Sequence, residues 1–198
     1  ENIFLPDTPR IQKRRYGHRE FKLSAMCLFF YFNKQGAQSV NSLRETMYPF
    51  MQLSDNVITL RPFEFGEANV LYEVVQESLT ELKPWMSWAR QTYTLETAQN
   101  FINITRAQWA SGDMYAFAVV NSTTGEFLGG CSLSHFHPVY HLCNLGYWVR
   151  TSKQGQGFAG RAAKLAARFA FEKTNLIRAE IVIAVGNDPS KRVAEKIN

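Results

Sequence analysis

Asn144-Leu-Gly-Tyr-Trp-Val-Arg-Thr-Ser-Lys-Gln-Gly-Gln-Gly-Phe-Ala-Gly-Arg-Ala-Ala-Lys-Leu-Ala-Ala-Arg-Phe-Ala170 decides how the rest of the chain is read. It opens as a strand ending near Arg150, passes through a polar turn, and becomes a helix at about Gly157. Gly155, Gly157 and Gly160 lie where strand gives way to helix. Glycine tolerates positive φ and lets a ligand approach bare backbone. The first turn of a helix carries N–H groups without partners, reinforced by the positive end of the macrodipole. The junction therefore predicts an anion site, most often for a phosphate. Beyond it, Phe158, Ala162, Leu165, Ala166 and Phe169 share one helix face, and the many alanines suit a helix lying close on a sheet.

Working outward, residues 57–62 read as a short strand stopped by proline, and residues 67–82 as a helix with an apolar stripe of Val70, Leu71, Val74, Val75 and Leu79. Residues 84–88 form a turn in which Trp85 and Trp88 either cap the core or line a substrate mouth. Thr94 is placed to cap the next helix, with Thr97 at the N3 position and Ala98, Phe101, Ile102, Thr105 and Trp109 on one side. Residues 115–120 and 127–134 make a hairpin, and residues 142–150 a third strand. After the glycine turn and its helix come a buried-type strand at 177–185 and a helix opening at residues 187–190. The order is strand, helix, helix, three strands, helix, strand, helix. That predicts a mixed α/β chain, an antiparallel meander followed by a strand–helix–strand crossover. The sequence stops at Asn198 inside its last helix, from which a C-terminal truncation is expected.

A chain of 198 residues, 45% apolar and 20% charged, suits one globular domain. The net charge of +5 is uneven: residues 1–50 carry 8 Lys+Arg against 4 Asp+Glu, leaving 14 against 13 for residues 51–198. The main domain therefore lacks the basic surface of a nucleic-acid binder, and no nucleic-acid partner is expected. Residues 1–52 show no sustained period and are read as a poorly ordered or non-native extension, with Met51 a candidate start. The rival reading is a membrane or partner anchor using the aromatic cluster at residues 29–32. The apolar run at 25–32 is too short to span a bilayer, and it lies too deep for a signal peptide, with no small-residue cleavage pattern after it. Cys27, Cys131 and Cys143 form no C-x-x-C pair, which argues against a disulfide framework or a zinc site. A reducing, cytoplasmic setting is expected, and the sequons at Asn103 and Asn121 are then chance matches.

Gly155-x-Gly157-x-x-Gly160 also fits the dinucleotide-binding pattern, with Glu180 twenty residues past the last glycine. Its context does not. Thr151-Ser-Lys-Gln154 separates strand from glycine, and Glu180 falls at the beginning of its strand, far from where a ribose would lie. No Gly-Lys-Ser/Thr occurs anywhere, which removes the phosphate loop of nucleotide triphosphatases.

As Gln154-x-x-Gly157-x-Ala159, the turn resembles the acetyl-coenzyme A loop of the GNAT acetyltransferase superfamily. Gly146-Tyr-Trp-Val149 before it, Asn187-x-x-Ser190 and Val193-Ala-Glu-Lys196 after it, and Ile58-x-Leu-Arg-Pro62 and Pro84-Trp-Met-Ser-Trp88 far upstream resemble its RimJ/RimL branch. The likeness covers roughly residues 53–198 in consistent order. It implies a central, mostly antiparallel sheet flanked by helices, here lacking its last strands, with domain bounds at 53–198. In that fold the fourth and fifth strands splay, and the pantetheine arm pairs with strand backbone in the gap. By matching positions, Tyr147, Trp148, Val149 and Arg150 supply that edge. The N–H groups of Gly155, Gln156, Gly157, Phe158, Ala159 and Gly160 hold the pyrophosphate, with Gln154 and Arg161 assisting and Asn187 meeting the pantetheine.

Acetyl transfer to an amine needs a place for the amine proton, a donor at the thioester oxygen, and an acid for the leaving thiolate. The resemblance puts the donor in the backbone near Tyr147–Trp148 and the acid at Ser190, which is otherwise a first-turn helix residue. Relatives often carry Glu where this chain has Asn144, and an amide cannot take the proton as a carboxylate does. His135, His137 and His141 precede that strand as bases acting through water, or merely decorate a loop. The expectation is an acetyl-CoA-dependent N-acetyltransferase without a metal, monomer or homodimer, transferring directly in a ternary complex to a protein N-terminus. Small amines (polyamines or aminoglycosides), a CoA-binding module without catalysis, and a nucleotide-dependent oxidoreductase are the alternatives.

Overall fold

The computed structural model describes residues 12–16, for which only the main chain is considered, and residues 51–197. Its elements are β1 (Gln12–Tyr16), β2 (Leu53–Ser54), β3 (Ile58–Pro62), α1 (Ala68–Leu82), α2 (Leu95–Ser111), β4 (Tyr115–Asn121), β5 (Phe127–His137), β6 (Leu142–Val149), α3 (Phe158–Lys173), β7 (Arg178–Ala184) and α4 (Asp188–Lys196). The described strands join in one sheet of order β1-β7-β6-β5-β4-β3-β2. Neighbours from β2 to β6 run antiparallel; β7 runs parallel to both β6 and β1. This is the meander and crossover expected from the order of elements. The extension reading of residues 1–52 otherwise falls outside the described residues.

Two hydrophobic clusters sandwich the sheet. On one face α3 and α4 pack Ala162, Ala166, Phe169, Ala170 and Ala194 against Phe117, Val119, Leu133, Leu145 and Ile181. On the other, α1 and α2 pack Leu71, Val74, Val75, Ala98 and Ile102 against Ala116, Ala118, Val120 and Phe127. β4 is therefore buried on both sides, six consecutive residues deep. Fully burying a side chain such as Phe117 contributes about 1.5–3 kcal/mol, which makes this strand the centre of the fold. The alanines of α3 do what the sequence suggested and bring that helix close to the strands beneath.

Local signals set the helix ends. Thr94 accepts a hydrogen bond from the Thr97 N–H at 3.2 Å, and Thr97 Oγ1 accepts from the Thr94 N–H at 3.3 Å, so threonine closes the capping box usually completed by Glu. Gly112, at φ +78°, ends α2 in the left-handed conformation. One detail of the expected α1 stripe differs. Val70 is exposed, and Ala68, Ser78 and Leu82 are buried with Leu71, Val74 and Val75, because Val70 falls at the edge of the helix face that these residues share. Among the described residues, no helix is long and apolar enough to cross a membrane.

Candidate active site

The ladder between β6 and β7 is short. It pairs Leu142 with Arg178, Cys143 with Ala179 and Asn144 with Glu180, then stops. β6 continues to Val149 with β5 as its partner, while β7 continues to Ala184 beside β1. The two strands thus part after Asn144 and Glu180, which leaves the β7-facing edge of residues 145–149 without a ladder partner among the described residues. That edge is the strand-like surface on which an extended arm can pair.

The glycine loop stands at the end of the β6 arm of this V. Thr151–Lys153 make a single 3-10 turn, Gly155 has φ +75° and Gly157 has φ +84°, both in the left-handed region that glycine favours. A Cβ added at either would meet nothing within 4 Å, so the loop presents open backbone. Gly157 caps α3 without a side-chain hydrogen bond, and the first-turn N–H groups of Phe158, Ala159 and Gly160 face outward from the helix start. Arg161 Nη1 sits 2.7 Å from Asp55 Oδ2 at the rim. Burial works against the charge of Asp55, but the N–H groups of Ile58 and Val57 together with Arg161 hold its carboxyl below the usual range. The loop therefore fits a pyrophosphate: backbone donors on a helix start, two side-chain-free glycines and a nearby guanidinium. Gln154 reaches back to the Val149 carbonyl at 3.4 Å, and Gln156 lies exposed within the loop.

Alternate residues of β6 face opposite sides of the sheet. Tyr147 lies on the α3 side, where its hydroxyl donates to the Ser190 carbonyl at 3.0 Å and lies 3.2 Å from Ser190 Oγ. The structure thus brings together two residues that sequence reading named separately. Burial raises the Tyr147 pKa, with the Ser190 contact acting in the opposite direction, so the phenol stays protonated as a donor. The cap of α4 is Asn187, whose Oδ1 accepts from the Ser190 N–H at 3.1 Å. Ser190 is therefore not the cap and keeps its hydroxyl for Tyr147.

Trp148 lies on the other side, against Trp88 at a ring distance of 5.7 Å and Phe127 at 6.2 Å. Gly130 makes room for it, since a Cβ there would stand 2.6 Å from the indole nitrogen. Trp85 and Trp88 are each about two-fifths exposed, and Trp85 reaches across to Gly186, whose Cβ would lie 3.9 Å from its ring. These tryptophans form a wall beside the V, with Trp88 also meeting Tyr93 at 6.1 Å. The Arg150 N–H donates to the Leu128 carbonyl at 2.9 Å and the Trp148 carbonyl faces Gly129, so the main chain of both is turned to β5. The Arg150 guanidinium turns to α1, where it pairs with Glu77, and donates to the Phe127 carbonyl at 3.3 Å.

The three histidines occupy the β5–β6 hairpin. His135 meets Ser134 Oγ at 2.9 Å, His137 accepts from the Tyr140 N–H at 3.2 Å, and His141 meets Asn175 at 3.1 Å. His135 and His141 have positive φ, of 53° and 46°. All three have local partners consistent with a loop role. Sequence reading missed Glu77 and Ser78 on α1. Ser78 Oγ accepts from the Thr151 N–H at 3.1 Å, and Glu77 accepts from the Ser152 N–H at 3.0 Å, which ties α1 to the turn before the glycine loop. A serine inside an apolar helical stripe, with Glu beside it, was the available signal.

Residues 58–198 match the family described as the acetyltransferase (GNAT) domain. A Bacillus subtilis (strain 168) protein with the provisional name ribosomal N-acetyltransferase YdaF is 29% identical over 141 residues, 71% of this chain and 76% of that one. A Vibrio cholerae structure with the provisional name ribosomal-protein-serine acetyltransferase shares 30% identity at a TM-score of 0.69, covering 77% of this chain and 84% of its own. Mycobacterium smegmatis RimJ in complex with a CoA disulfide has the same fold at a TM-score of 0.65 and 23% identity, over 73% of this chain and 72% of its own. A parted strand pair, a glycine loop opening a helix, and a family match across both make the conclusion plain: this chain belongs to the GNAT family and is an acetyl-CoA-dependent N-acetyltransferase.

Proposed function

We propose that the protein acetylates the N-terminal α-amine of a protein acceptor, of the ribosomal-protein type, by direct attack while both substrates are bound. The observation that carries the acceptor class is the shared name of the relatives: YdaF and the Vibrio cholerae protein both bear ribosomal-protein acetyltransferase names. The geometry supports the arrangement. Acetyl-CoA, when bound, supplies an activated acyl group on a good leaving thiolate. The backbone of residues 155–160 holds its pyrophosphate, assisted by Gln154 and Arg161, and the free edge of β6 pairs with its pantetheine. The Asn187 amide nitrogen can reach the same arm while Oδ1 stays on the Ser190 N–H. A main-chain donor near Tyr147 is placed for the acyl oxygen, since the main chain of Trp148 is turned to β5. Tyr147 and Ser190, joined by their hydrogen bond, are the proton donors for the departing sulfur. A cytoplasmic setting accords with the free, buried Cys131 and Cys143.

The acceptor enters from the tryptophan side and is held against the wall of Trp85, Trp88 and Trp148. Proximity supplies much of the rate, because both reactants are held in one site. The test is thiol release from acetyl-CoA with a panel of N-terminal peptides beside spermidine and an aminoglycoside. Turnover confined to peptides is expected. Turnover with the small amines alone would overturn the acceptor class.

A further inference from the structure

The point where β6 and β7 part is marked by three polar side chains with unmet hydrogen-bonding capacity. Among the described residues Asn144 Oδ1, Glu180 Oε1 and Arg178 Nε are buried without a hydrogen-bond partner, and Asn144 and Glu180 are register partners across the last rung of the ladder. A buried acceptor without a donor costs about 1–3 kcal/mol, so the orphaned Asn144 oxygen beside an ion-paired carboxylate calls for a function. Their neighbours Cys143, Leu145, Ala179 and Ile181 belong to the core on the α3 side. By strand alternation Asn144 and Glu180 face the opposite side, the side of Trp148.

The next residue of β6 on that face is Gly146. A Cβ there would meet Ser132 Oγ at 3.5 Å and no closer atom, so its absence opens a notch between Asn144 and Trp148. Gly146 has no positive φ, so it is the missing side chain that matters here. Arg178, also on that face, puts Nη2 2.7 Å from Glu180 Oε1, too poorly aligned for a hydrogen bond. It steadies the carboxylate and leaves lone pairs available. The Cys143 thiol, pushed up to about 12 by burial and then by the charge of Glu180, stays neutral behind this pair.

We propose that Glu180 and Asn144 receive the acceptor amine in the Gly146 notch, with Glu180 taking its proton. The carboxylate that relatives often carry on β6 is thus supplied here from the facing rung of β7. Asn144 accepts one N–H of the incoming amine and orients its lone pair toward the edge of β6. As nitrogen forms its bond to the acyl carbon and the carbon–sulfur bond breaks, one amine proton passes to Glu180 and on to solvent. The thiolate leaves with the electron pair and takes a proton from the Tyr147–Ser190 side. A primary amine on a slim chain fits the notch, since a branched nitrogen would strike Ser132 or the Trp148 wall. This inference rests on the acetyl-transfer reading above and adds the residues that select and activate the amine.

The experiment compares wild type, Glu180→Gln and the double variant Glu180→Gln/Asn144→Glu with an N-terminal peptide, and measures CoA binding separately by titration calorimetry. Glu180→Gln should lower kcat by about a hundredfold or more, the usual weight of a positioned base, and leave the CoA Kd within about twofold. Moving the carboxylate across the rung should recover about tenfold of that loss. Glu180→Gln turning over within about threefold of wild type would overturn the proposal, as would a parallel loss of CoA binding, the mark of a structural role. A double variant no faster than Glu180→Gln would also count against it. No thiol release by wild type with any amine is a different failure, that of the acetyl-transfer reading itself.

Discussion

The two ends of the cleft between β6 and β7 are built from different materials. At the open end, residues 154–161 offer backbone: left-handed glycines, first-turn N–H groups and little side-chain chemistry. At the closed end, side chains from several elements converge: Asn144 and Gly146 from β6, Arg178 and Glu180 from β7 and Ser132 from β5, with Trp88 and Trp85 flanking the arms at Trp148 and Gly186. A backbone site tolerates most substitutions and fails at the few positions whose conformation it depends on. A side-chain site loses function by degrees, residue by residue. The cofactor end and the acceptor end should therefore respond to mutation separately.

The largest separation is expected at Gly157. With φ at +84°, a valine there is strained by about 1–2 kcal/mol or more, and relaxation turns the N–H groups of Phe158–Gly160 away from a phosphate. Each lost charge-assisted hydrogen bond weakens binding by about 1.5–3 kcal/mol. Gly157→Val should thus raise the CoA Kd by about a hundredfold in calorimetry, with helix content unchanged by circular dichroism. Its Km for peptide, measured at saturating acetyl-CoA, should stay within about twofold of wild type. A large shift in both would erase the division between the two ends.

Trp88 gives the reciprocal case with a smaller effect. Its ring is about two-fifths exposed and meets Trp148 and Tyr93 at tilted angles, the Tyr93 hydroxyl being pushed up to about 12 by burial. Trp88→Ala removes contacts of about 0.5–1.5 kcal/mol each, so the peptide KM should rise about fivefold to tenfold with the CoA Kd unchanged. A change in CoA binding instead would place this turn on the cofactor side.

The same contrast explains what was legible in the sequence. The element order from β3 onward, the glycine loop and the α3 face are local patterns, and the structure shows them within a residue or two of the expected bounds, save that β5 runs three residues further to His137 and that β1 and β2 were not expected. Gly155 and Gly157 could be read because backbone conformation restricts residue choice at single positions. Glu180 could not be placed from its own neighbourhood. It drew notice only as a poor match to a ribose ligand, and its position opposite Asn144 depends on a register set by residues thirty-six apart. The Tyr147–Ser190 hydrogen bond likewise spans forty-three residues, although each partner was named. Glu77 was missed for the same reason: its partner Arg150 lies seventy-three residues away.

Glu77 stands behind the open end and offers the smallest, most specific test. Its carboxyl pairs with Arg150, with Nε to Oε2 at 3.1 Å, and accepts the Ser152 N–H, which anchors α1 to the turn that leads into the glycine loop. The Arg150 hydrogen bond holds the Glu77 pKa down to about 2, against the opposing effect of burial and with help from Ser152. Because the folded value lies below the unfolded value of about 4.3, the pair stabilises the native state above that pH and ceases to do so as pH falls through about 2. The carboxylate is partly exposed, so solvent screening reduces the contribution to about 1 kcal/mol. Glu77→Gln should therefore unfold about 1 kcal/mol more easily than wild type in urea at pH 7, with the two curves converging between about pH 5 and pH 2. A difference that stays constant across that range would assign the effect to packing of α1. Since the N–H groups proposed to hold the phosphate begin at Gly155, beyond the anchored turn, CoA affinity at pH 7 should fall by no more than about threefold, well short of the loss at Gly157.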